Sequence, residues 1–222
     1  ALPICPTHCL SRAWGLLREN LVLLAGATAL NILCQVVVGI IPGLGMLVGP
    51  LIQGPLIGGL FWMNLRALRG QTPAFGDAFS GFNQFVQLMM AGVVTTLLTT
   101  ALFVPAIVFL HLGKQGGHDT LTAIGGGLGL LALPFAVYFA ISWLMTYPLI
   151  MDRKYEFWTA MHVSRAVSHK CWGSLFALFV LLVVVQLLGV LAFCVGIFVT
   201  LPLFYGALAY AYEDVFTGER RG

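Results

Sequence analysis

The sequence predicts an all-α membrane protein: six transmembrane helices in three parallel-oriented repeats, each an interfacial amphipathic helix followed by a transmembrane hairpin. Three observations carry this expectation. Charged residues are only 9% of the 222-residue chain and hydrophobic residues 59%, with mean hydropathy +0.96, whereas a water-solvated domain carries about 25% charge. The charges are clustered, so that no Asp, Glu, Lys or Arg lies within Asn20–Leu65, Ala78–Gly113, Thr120–Met151 or Cys171–Tyr212. A short amphipathic segment also recurs ahead of each long apolar block.

Crossing the hydrocarbon takes about 20 helical residues. The first uncharged stretch has room for two spans and must turn at Ile41-Pro42-Gly43-Leu44-Gly45; the last must break near Phe193–Gly196. The expected spans are Leu21–Ile41, Met46–Leu65, Phe85–Leu110, Leu121–Ile150, Gly173–Phe193 and Ile197–Tyr212. The fourth is long for one crossing, which calls for tilt, a bend at Pro134 or a part outside the bilayer. All belong to one transmembrane domain with units of approximately 5–70, 71–150 and 151–216 and a short tail, 217–222.

Orientation follows from the basic residues. Arg12, Arg18, Arg66, Arg69, Arg153, Lys154, Arg165, Lys170, Arg220 and Arg221 all fall on one side of these spans, and of the 11 Lys and Arg only Lys114 falls on the other. The positive-inside rule then places both termini in the cytoplasm. A one-sided formal charge of only +3 points to an anionic leaflet as its counterpart and away from nucleic acid.

The chain begins at Ala1, as expected of a trimmed or processed product, and its first apolar run is too long and lacks a cleavage site for a secretory signal. Cys5-Pro-Thr-His-Cys9 offers two thiols and an imidazole, short of the four ligands of a structural zinc. Pro6 and Thr7 instead read as a helix start. Cys34 and Cys194 lie in apolar spans, where free thiols behave as small hydrophobes, and no disulfide is expected.

Leu10–Glu19 is the first amphipathic segment, with Leu10, Ala13, Trp14 and Leu17 on one side. The second is Phe75–Val86, with Phe75, Ala78, Phe79, Phe82 and Phe85 opposing Asp77, Ser80, Asn83 and Gln84. The third, within Met151–Trp172, sets Phe157, Ala160, Met161, Ser164, Val167 and Cys171 against His162, Arg165 and His169. Superimposed, they read LSRAW, FGDAF and FWTAM: an apolar residue, two positions, Ala, then a large apolar residue. Such helices are expected to lie in the interface, apolar face toward lipid and cations toward headgroups. Arg12, Arg18, Arg66, Arg69, Arg153, Lys154, Arg165 and Lys170 would form a headgroup collar.

The second span holds Gly49-Pro50, Gln53 and Gly54-Pro55. One reading is a broken helix lining a solute path; the other is a kinked helix whose small residues let backbones approach. The absence of any acid or base at membrane depth favours packing. Asn31, Gln35, Gln53, Thr95, Thr96, Thr99, Thr100 and Gln186 are the polar residues a path would use.

His111, His118 and Asp119 lie in a glycine-rich loop that reads as solvated. Trp143, Tyr147 and Pro148 fit an aromatic belt. His162 and His169 have no carboxylate or nucleophile beside them in sequence, and Glu213 and Asp214 stand where they can pair with the collar. No catalytic residue, metal or cofactor is expected.

Gly49-Pro-Leu, Gly54-Pro-Leu-Ile-Gly-Gly, Phe75-Gly-Asp-Ala-Phe-Ser-Gly-Phe-Asn-Gln-Phe, Tyr147-Pro-Leu-Ile-Met-Asp, Ala160 with Ser164, and Leu201-Pro-Leu-Phe with Ala209-Tyr occur in that order. Together they resemble a bacterial family of six-pass integral membrane proteins defined as a domain of unknown function. The resemblance implies a prokaryotic inner-membrane location and brings no activity or site residues. The lack of catalytic clusters and of buried charge in the sequence, with the triplicated basic collar, makes the expected function a non-catalytic scaffold or accessory subunit, packed against partner helices or its own copies and against anionic lipid. The alternative is a small-solute or lipid transporter lined by the Gly-Pro helices; a lipid-modifying enzyme using His162 or His169 is the third.

Overall fold

In the computed structural model, which describes residues 6–40, 44–192 and 196–218, every regular element is helical. The order is α1 (Pro6–Glu19), α2 (Leu21–Ile40), α3 (Leu44–Leu68), a 3₁₀ helix (Phe75–Gln84), α4 (Phe85–Gly116), α5 (Asp119–Ser142), α6 (Thr146–Arg153), α7 (Phe157–Lys170), α8 (Trp172–Leu191) and α9 (Ile197–Gly218). The expected turn at Ile41–Gly43, the break at Phe193–Val195, and Cys5, Cys194, Arg220 and Arg221 lie outside the described residues.

Four stretches are long and apolar enough to cross a membrane: Leu21–Ile40, Phe75–Gly116, Asp119–Arg153 and Trp172–Leu191. The protein is thus a membrane protein, and faces bearing Val36, Leu97, Leu130 and Leu187 are exposed for lipid. The helices α3 and α9 are not among the four. Tyrosines and two acids dilute the apolarity of α9. Both helices are packed inside the bundle, with Leu56, Leu60, Phe61, Met63 and Leu65 of α3 and Leu203, Ala207, Leu208, Ala211 and Tyr212 of α9 buried. A helix apolar around most of its circumference belongs in an interior.

The contacts follow one order. Neighbours α2 and α3, α4 and α5, and α8 and α9 pack as pairs. The helix α2 also touches α9, α4 touches α3, and α8 touches α5. Each short amphipathic element packs on a different inner helix: α1 on α9, the 3₁₀ helix on α3, and α7 on α5 and α6.

The amphipathic segments bury their small residues in protein. In α1 the buried set is Cys9, Ala13, Leu16 and Leu17, whereas Trp14 is 40% exposed. In the second segment Ala78 and Gly81 are buried and Phe75, Phe79 and Phe82 are exposed. That segment is a 3₁₀ helix running directly into α4, and the apolar stripe expected to face lipid is divided. Its small residues meet α3 and its rings face outward. The Ala shared by the three segments is buried in each, at Ala13, Ala78 and Ala160.

The long fourth stretch, for which the sequence predicts tilt, a bend at Pro134 or a part outside the bilayer, is divided into α5 and α6. Pro134 lies inside an unbroken α5, exposed on the outer face. The break comes at Trp143–Met145, and α6 restarts with Pro148 at its third residue, where a missing N–H costs no helical bond. Side chains of α7 satisfy the freed backbone: Ser164 Oγ donates to the Ser142 carbonyl (2.8 Å) and accepts from the Met145 N–H (3.2 Å), and Ser168 Oγ donates to the Ile141 carbonyl (3.0 Å).

Candidate functional site

The Gly-Pro helix is the natural place to begin, because close packing and a solute path make opposite demands on it. Gly54 abuts the Leu88 carbonyl of α4, and Gly59 abuts the Ala78 carbonyl of the 3₁₀ helix. Gly81 in turn abuts the Pro55 carbonyl, and a Cβ at any of these positions would overlap backbone. Of the residues singled out for a path, Gly54 and Pro55 are therefore buried at a helix–helix contact. Gly49 has open space around it. It and Gln53 line a small notch of about 140 Å³ between α2 and α3, together with Gln35 and Gly39. Beside this notch the Gln35 amide donates to Asn31 Oδ1 (2.8 Å), while the buried Asn31 Nδ2 has no partner. Pro50 does not line the notch.

A larger cavity of about 460 Å³ lies elsewhere, among α3, α4, α5, α6, α8 and α9. Thr95 and Thr99 of the expected polar set reach it; Thr96, Thr100 and Gln186 do not. Its walls are aromatic and aliphatic, with Phe139 of α5 and Trp143 just beyond that helix stacked at 5.0 Å, and Phe204 edge-on to Tyr205 at 5.6 Å on α9. No charged residue among those described lines it. The Thr95 proton goes to the Ala91 carbonyl (2.8 Å) and that of Thr99 to the Thr95 carbonyl (2.8 Å). Tyr147 is within hydrogen-bonding reach of Thr95. The Tyr205 hydroxyl makes no hydrogen bond among the described residues.

Ion pairs tie several of the helices together. Arg69, just beyond α3, meets Asp152 of α6 at 2.6 Å and Glu213 of α9 at 2.7 Å, and the buried Tyr212 donates to Asp152 at 2.9 Å. The Asp152 carboxylate, against opposing burial and with help from Glu213, holds the Arg69 guanidinium pKa above its ordinary value. Arg66 pairs with Asp77 at 2.5 Å, and the same carboxylate accepts the Ala74 N–H at 2.8 Å. Arg12 lies 3.5 Å from Asp214 and over the Tyr210 ring at 4.3 Å.

The eight expected collar residues thus fall into three groups. Arg12, Arg66 and Arg69 hold carboxylates of the same chain, so Glu213 and Asp214 do meet basic partners. Arg18 lies over Trp14 at 5.1 Å and Arg153 over Phe216 at 4.8 Å. Lys154, Arg165 and Lys170 are exposed and outside the ion pairs of the described residues.

The histidines are dispersed. His162 packs on Trp158 at 5.3 Å, and His169 Nε2 lies 2.9 Å from the Tyr138 hydroxyl. His111 Nε2 lies 2.8 Å from Gln115. Among the described residues no three His, Cys, Asp or Glu come together as a metal-binding group.

Sequence reasoning reached Trp143 and Tyr147 as belt residues but did not assign them to a cavity, and it passed over Tyr205, Phe139 and Ser168. Tyr205 carried a signal, a phenol inside the uncharged stretch Cys171–Tyr212. No family model, curated protein or solved structure matches the chain.

Proposed function

We propose that the protein is a non-catalytic, six-pass scaffold or accessory subunit of a prokaryotic cytoplasmic membrane, with both termini cytoplasmic. In this reading α3 and α9 are spans as well, α5 and α6 form one returning span, and the chain comprises three units of an amphipathic helix and a hairpin. Three features support the units. Each leading helix and each amphipathic helix touches the returning helix of the preceding unit, and the third unit touches the first through α9. The shared alanines are all buried. Each returning helix carries Pro-Leu followed by Ile or Phe, at Pro55, Pro148 and Pro202.

The observation that carries the scaffold reading is the contact of Gly54 and Gly59 with neighbouring backbone. It spends the Gly-Pro helix on packing and leaves it little freedom to gate. The partners would be lipids of the anionic leaflet, met by Arg165 and Lys170, and other membrane subunits or copies of this chain. Native mass spectrometry of protein extracted gently from its own membrane tests this. A stoichiometric protein partner or a homo-oligomer is expected. A monomer carrying only a small solute would favour the alternative, a transporter using the notch at Gly49 and Gln53.

A further inference from the structure

We infer that the 460 Å³ cavity is a binding site for a neutral, quinone-type molecule drawn from the bilayer: a flat apolar body bearing a carbonyl acceptor for the Tyr205 hydroxyl. This site does not depend on the scaffold reading. Its size falls within the roughly 300–1,000 Å³ of small-molecule sites, which are apolar pockets with a few placed polar groups.

Chemistry of the lining narrows the occupant. No Lys, Arg, Asp or Glu among the described residues reaches the cavity, so an ionised headgroup or a fatty-acid carboxylate would be desolvated there without a partner from them. A saturated chain would satisfy the volume but offer no acceptor to the Tyr205 hydroxyl. A carbonyl oxygen answers that donor without introducing charge. Flat walls suit a flat body: Phe139 and Trp143 are stacked with ring planes 5° apart, and offset stacking on such faces is favourable. Entry is from the lipid side, because Ala140 and Thr99 on the rim are exposed on spans that cross the membrane.

The test uses the full chain in lipid nanodiscs titrated with decylubiquinone, reading fluorescence of its 5 tryptophans. A saturable quenching component is expected, and Trp143→Phe should remove it. Ala140→Phe should fill the mouth and abolish saturation, with Ala136→Leu as the second blocking variant if the first does not fold by circular dichroism and gel filtration. Tyr205→Phe should weaken binding roughly 3- to 10-fold, the loss of one hydrogen bond. Three outcomes would overturn the proposal: quenching that only rises linearly with quinone, affinity unchanged in Tyr205→Phe, or displacement by equimolar decane, which would mark a site for hydrocarbon alone.

Discussion

The Ser164 hydroxyl donates to the Ser142 carbonyl at 2.8 Å across 22 positions of chain, and both residues are buried. The same oxygen accepts the Met145 N–H, so one side chain of α7 closes both sides of the break between α5 and α6. In a membrane interior no water is available to satisfy such groups. Ser164→Ala should cost about 1–3 kcal/mol, the penalty for orphaned buried polar groups, and Ser168→Ala somewhat less, because its second contact with Ser142 is 3.5 Å long. Thermal unfolding in detergent measures the loss, and faster exchange of the Met145 amide in Ser164→Ala alone would localise it.

Arg69 binds the ends of two helices at once, Asp152 of α6 and Glu213 of α9, while extending from α3. Arg69→Met should cost between the ~0.2–1 kcal/mol of an exposed pair and the ~3–5 kcal/mol of breaking a buried one. The guanidinium is partly exposed, which argues for the lower half of that interval. Chemical unfolding of Arg69→Met, Asp152→Asn and the double variant gives the coupling, which should be non-zero. Purely additive losses would mean that the network does not hold these helices.

Much of the helix order was legible because long uncharged stretches and amphipathic periodicity are local signals. Ala13, Ala78 and Ala160 could be aligned from five-residue patterns, and all three are buried. What they are buried against was not legible. An amphipathic segment beside a membrane can face lipid or protein, and the pattern alone does not separate these, as Trp14 at 40% and Phe79 at 41% exposure demonstrate. The interruption between α5 and α6 was hidden for a related reason: the groups that satisfy it, Ser164 and Ser168, are distant in sequence. Tyr205 belongs to the cavity only through the arrangement of six helices, which no single stretch encodes.

Arg165 and Lys170 differ from Arg12, Arg66 and Arg69 in pairing with no carboxylate among the described residues. Reversal of both to Glu should weaken binding to anionic liposomes with little change in unfolding temperature, each lost cation being worth about 1 kcal/mol at such a surface. Arg66→Glu should do the opposite, placing a carboxylate beside Asp77 and lowering stability. Cosedimentation with phosphatidylglycerol vesicles at two salt concentrations separates these effects. Equal liposome binding by the Arg165→Glu, Lys170→Glu double variant would remove the headgroup role.

Gly49 and Gly59 lie on the same helix and separate packing from transport. A Cβ at Gly59 would overlap the Ala78 carbonyl, whereas one at Gly49 meets nothing within 4 Å. Backbone cannot yield as a flexible side chain does, so Gly59→Ala should destabilise by about 1–3 kcal/mol or more. At Gly49 the same change should be neutral or slightly stabilising, since alanine favours the helix by up to about 1 kcal/mol. If the helix instead lines a working path, Gly49→Ala narrows the notch at Gln53 and should reduce solute flux in proteoliposomes while leaving the unfolding temperature unchanged. Measuring both quantities on both variants therefore decides the role of the helix: stability lost only at Gly59, with no flux to lose at Gly49, is the result that packing requires.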